Sequence, residues 1–220
     1  DGEWSNARVN TPADVYVLAN VASPSAERVK ELESLVRDGG AGLLIFLGDQ
    51  IDVGAYNERL FNAGKGLLPA KLDAIIDASA TGLVIEPQQS SPLAPLSKLA
   101  PAALARVQTK KYFGIGAADA KQTDVRVLAR WNNSESSPAV IEKQVGRGRV
   151  ILFTVPADKA WGDWPLDPTF VLATRSAVSA IVRDDAARTN AVAGQPIKIA
   201  IDRNTSAQQP TVKLPTGDTH

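Results

Sequence analysis

The sequence predicts an α/β fold: a mostly parallel central sheet, an antiparallel extension, and a short C-terminal β segment. Three observations carry this. Gly42-Leu43-Leu44-Ile45-Phe46-Leu47-Gly48 is a short unbroken apolar run closed by glycines, the signature of a strand buried on both faces. It completes a strand–helix–strand unit with Val15–Asn20 and a helical repeat between them. Downstream, Val125–Trp131, Pro138–Val145 and Arg149–Val155 are three strand-like runs, the last two separated by the hairpin signal Gly146-Arg147-Gly148.

Taken in order, residues 1–13 are polar and read as a loop or edge segment. After the strand Val15–Asn20, Ser23 is the expected N-cap and Pro24 the first helical residue. Val29, Leu32, Leu35 and Val36 follow at helical spacing, and Gly39-Gly40 ends the helix. Residues 54–64 repeat helically through Tyr56, Leu60 and Phe61, and Gly64–Pro69 is a turn. Gly82–Glu86 suggests a strand. The proline-bearing span 87–101 is expected to be a lid-like or meandering loop, and Ala102–Val107 one or two helical turns. Pro168–Asp184 is the last helix. The expected core includes Val17, Leu18, Leu32, Leu35, Leu44, Ile45, Phe46, Leu128, Ile151, Phe153 and Val171.

From Asn190 the texture changes. Ile197–Ile201 alternates cleanly and Thr211–Leu214 is a second short strand pattern. Two such strands cannot bury a core alone. The expected division is an α/β domain over 1–189 and, over 190–220, the start of a β-sandwich or a β tail.

Composition narrows the functions. The 220 residues carry 24 Lys+Arg and 24 Asp+Glu, so no basic excess is available to neutralise phosphates, and nucleic acid is not an expected partner. No apolar run approaches the ~20 residues of a membrane span. Cysteine is absent, which removes thiolate nucleophiles, disulfides and Cys metal sites. Methionine is also absent, and the chain is expected to be a fragment or processed product with any membrane anchor outside it. The single histidine is His220, the last residue.

Two stretches could carry chemistry. In open α/β sheets, ligands bind past the carboxyl ends of the strands. That places a candidate site at Asp49, Gln50 and Asp52, just after the buried strand. The two acids read either as a pair for acid–base work or a hard cation, or as caps for the next helix; the capping reading is favoured. The second stretch, Asp158…Trp161-Gly162-Asp163-Trp164-Pro165, gathers two of the four tryptophans. It reads as an aromatic platform for a sugar or peptide, or as a loop pinned by buried indoles, and again the structural reading is favoured. Gly146-Arg147-Gly148-Arg149 lies between strands rather than before a helix, so it lacks phosphate-loop geometry.

Together, the strand ending Leu18-Ala19-Asn20-Val21, the helix after it, Gly39-Gly40-Ala41-Gly42-Leu43-Leu44-Ile45-Phe46-Leu47-Gly48-Asp49, Gly148–Thr154 and Asp158…Trp161…Asp163-Trp164-Pro165-Leu166 resemble the class I glutamine amidotransferase-like fold, a flavodoxin-like three-layer sandwich. They resemble a bacterial branch in which this domain follows a von Willebrand A-type domain, in membrane-anchored proteins whose N-terminal part resembles aerotolerance regulators. The resemblance covers about residues 14–186. It implies a strand and helix before residue 14 and a β-sandwich after Asn190. It also implies a Cys nucleophile at the turn after the buried strand, with His and Glu partners. This sequence has Leu47-Gly48-Asp49 there and no cysteine, so no catalytic residue, metal ligand or cofactor is carried over.

The resulting expectation is a non-catalytic interaction or scaffold domain on the extracytoplasmic, periplasmic side of a larger envelope protein, its partners being other protein domains. The alternatives are a carbohydrate- or peptide-binding module using Trp161 and Trp164, and a metal-assisted hydrolase using Asp49 and Asp158.

Overall fold

The computed structural model describes residues 13–77, 80–88, 91–116 and 123–182. The expectations for the N-terminal polar segment and for the C-terminal β segment from residue 190 lie outside them.

The strand–helix–strand unit forms as expected. Strand β1 (Val15–Ala19) pairs in parallel with β2 (Gly42–Phe46), joined by helix α1 (Ala26–Arg37). The cap of α1 differs from the expectation. Ser25, not Ser23, accepts from the Arg28 backbone N–H, and the helix begins after Pro24. Ser25 can place its hydroxyl over the first turn because its backbone is extended. At the other end Gly40 takes φ 75°, a turn-closing conformation that a side chain would oppose.

Beyond β2, helix α2 (Val53–Ala55) runs into a π-helical turn, Tyr56–Phe61. Then come β3 (Leu72–Ile76), β4 (Ala80–Thr81), β5 (Leu83–Ile85), α3 (Pro101–Ala105), β6 (Gln108–Thr109) and β7 (Tyr112–Ile115). The chain closes with β8 (Val125–Trp131), β9 (Pro138–Val145), β10 (Gly148–Phe153) and α4 (Pro168–Ile181).

The six-stranded main sheet has the order β1-β2-β10-β9-β8-β5. Strand β10 lies parallel beside β2, and the remaining neighbours pair antiparallel. Four of the six strands, β1, β2, β10 and β8, therefore run the same way. The antiparallel extension is β10-β9-β8-β5. Two short ribbons, β3–β7 and β4–β6, stand apart from the sheet. Of these, β3, β4, β6 and β7 have no counterpart in the sequence reading.

Alternation along β2 and β10 splits the core into two layers. Leu44, Phe46, Ile151 and Phe153 join Trp131, Trp164, Phe170 and Ala173 on the α4 side. Leu43, Ile45, Val150 and Leu152 join Leu18, Leu32, Val36, Tyr56 and Trp161 on the α1 side. This is the three-layer sandwich the sequence predicts. Two expected core residues are outside it: Val17 is 49% exposed and Val171 is 63% exposed. Val17 lies on β1, an edge strand of the sheet among the described residues. Val171 points off the flank of α4 that faces away from the sheet. Leu35 is only half-buried.

The span 87–101, in its described residues, is the meandering loop of the sequence reading and not a lid. Leu93 and Leu96 are fully buried in the α4-side layer, so this stretch is packed wall and not a lid. Its prolines fit because turns and a 3-10 turn at Leu96–Lys98, not a ladder, carry the backbone. Lys143 of β9 is buried too. Its ammonium donates to the carbonyls of Gly64 (2.7 Å) and Gly66 (2.8 Å), tying the turn after the π-helix to the sheet.

Candidate site at the carboxyl end of the sheet

Strands β1, β2 and β10 end together. The turn after β2 is held by a residue from the end of β1. Asn20 sits at φ 50°, a left-handed conformation that Asn tolerates better than most residues. Its backbone N–H still bonds Phe46 O (2.9 Å), closing the β1–β2 ladder. Its side chain then reaches over the next turn. Nδ2 donates to Asp49 Oδ1 (2.8 Å), and Oδ1 accepts from the Gln50 N–H (2.9 Å). Gly48 is what permits this reach: a Cβ there would lie 2.4 Å from the Asn20 amide.

Asp49, Gln50 and Asp52 are all exposed. Asp49 is engaged by Asn20. Asp52 accepts from Ala55 N (3.0 Å), the helix-capping role the sequence favours, and its own N–H bonds Ala22 O (2.9 Å). Tyr56 donates to Val21 O (2.8 Å), and burial pushes its phenol well above the ordinary range, so it stays protonated. The loop after β1 and the loop after β2 are thus stitched together at several points. Asn20 and Tyr56 were not singled out from sequence. The positive φ and the 30-residue separation from Gln50 left no local signal for Asn20.

The loop after β10 is held differently. Trp161 is 4% exposed and Trp164 is 1% exposed, and the two indoles go to opposite layers. Trp161 packs against Phe113 at 5.5 Å between ring centroids. Trp164 meets Trp131 and Phe170 edge-on at 5.8 and 5.3 Å, and its Nε1 donates to Thr169 Oγ1 (3.2 Å). The loop clips over the sheet end with one ring on each side. An aromatic platform needs an exposed ring face, and neither tryptophan offers one. The cavity beside them, lined by Asp158, Trp161 and Trp164 among others, holds about 10 Å³, room for about one water.

Asp158 and Asp163 are exposed. Asp158 accepts from Ala160 N (2.8 Å), an ordinary turn contact. Among the described residues, no three acidic, histidine or cysteine side chains come together as a metal-holding group, so Asp49, Asp52 and Asp158 are not assembled into one. Asp167, at the start of α4, takes hydrogen bonds from Thr169 N (2.8 Å) and Arg106 Nε (3.0 Å). Burial alone would raise its carboxyl, but the Thr169 bonds and the Arg106 guanidinium together hold it below the usual carboxylate range.

No protein-family model matches the chain, and no curated protein matches it. Solved structures do resemble it. A cytoplasmic protein from Salmonella typhimurium LT2 superposes with a TM-score of 0.59 at 17% identity, over 77% of this chain and 72% of that one. A second cytoplasmic protein from Salmonella typhimurium gives 0.59 at 15% identity, over 78% and 72%. A ThuA-like protein from Bacteroides uniformis gives 0.53 at 16% identity, over 79% and 71%. The chain has the class I glutamine amidotransferase-like fold. At these identities the likeness is one of fold alone. No helix among the described residues is long and apolar enough to cross a membrane.

Proposed function

We propose that this chain is a non-catalytic interaction or scaffold domain of a larger, membrane-anchored bacterial envelope protein, working on its periplasmic side. The observation that supports this most is the use made of the turn after β2. The position that the fold offers to a nucleophile is Gly48-Asp49, and Asp49 is bonded to the Asn20 amide. Asp52 caps a helix and Asp158 a turn. Acyl transfer through a covalent intermediate needs a nucleophile and a base in hydrogen-bond reach. Cysteine is absent from the sequence and the one histidine is the last residue. The envelope context and the partners, other protein domains, rest on the sequence resemblance.

The test is an amidase and esterase screen of the whole chain with Mg²⁺, Mn²⁺ or Zn²⁺, beside Asp49→Ala. The expected result is no turnover by either protein and no metal-dependent rise in melting temperature. Turnover by the parent that Asp49→Ala abolishes would overturn the proposal.

A further inference from the structure

We draw no further inference here: the strongest candidate, the outer edge of strand β1 with the exposed Val17 on it, is an apolar sheet edge for which nothing in the structure shows what covers it.

Discussion

The loops after β2 and after β10 leave neighbouring parallel strands at the same end of the sheet, and they are fixed by opposite means. The first is exposed and knotted by polar side chains: Asn20 to Asp49 and Gln50, Asp52 to Ala55. The second is exposed at its acids but anchored by two buried indoles on opposite faces of the sheet. An apolar anchor removes more surface from water than a few solvent-facing hydrogen bonds can match. The acids in the two loops look alike in sequence but make different contacts. In one they close turns and cap helices. In the other they are the wet rim of a hydrophobic clip.

The largest expected effect tests the clip. Trp164→Ala should cost about 3–5 kcal/mol in urea unfolding, since the indole fills a site walled by Trp131, Phe153 and Phe170. A loss under about 1 kcal/mol would place the loop's anchor elsewhere.

The next tests the knot. Gly48→Ala should cost about 1–3 kcal/mol, because the new methyl overlaps the Asn20 amide. Part of that cost should vanish in an Asn20→Gly background, which removes the amide and keeps the positive φ available. Strict additivity in this double-mutant cycle would mean that Gly48 and Asn20 are not coupled.

Smaller still, Asn20→Gly alone should lose about 1 kcal/mol, the value of two solvent-facing hydrogen bonds, one of them to a carboxylate. Asp49→Ala should change stability by less than about 1 kcal/mol, since its partner amide can turn to water. If Asp49→Ala proved the more damaging of the two, the knot would be centred on the carboxylate and not on Asn20.

The last prediction concerns pH at the base of the clip. The Asp167 carboxyl is held below its ordinary value in the folded chain by Thr169 and Arg106, against burial. Its contribution is therefore fully present above the unfolded carboxylate value of about 3.9 and is lost as pH falls through the lower folded value. Parent and Asp167→Asn should differ in melting temperature at pH 7 and converge as pH is lowered below about 4. A difference that stayed constant across that range would assign the variant's effect to the lost cap and not to charge.

Sequence by itself determined the layers. The glycine-bounded run Gly42–Gly48 and the flanking strand and helix patterns specified a parallel β1–α1–β2 unit, because so short an unbroken apolar run between glycines suits a strand buried on both faces, and a helix between two such strands makes them parallel. The antiparallel extension was equally readable, since short alternating runs joined by Gly146-Arg147-Gly148 admit little but a hairpin. Tertiary structure decided the rest. Whether Val17 and Val171 are core depended on which edge and which helix flank are left uncovered, and periodicity says nothing about that. Strands β3 and β7 escaped notice because each is short, and their pairing bridges about 40 residues of chain. The role of Asn20 required Gly48, far along the chain, to give up its Cβ.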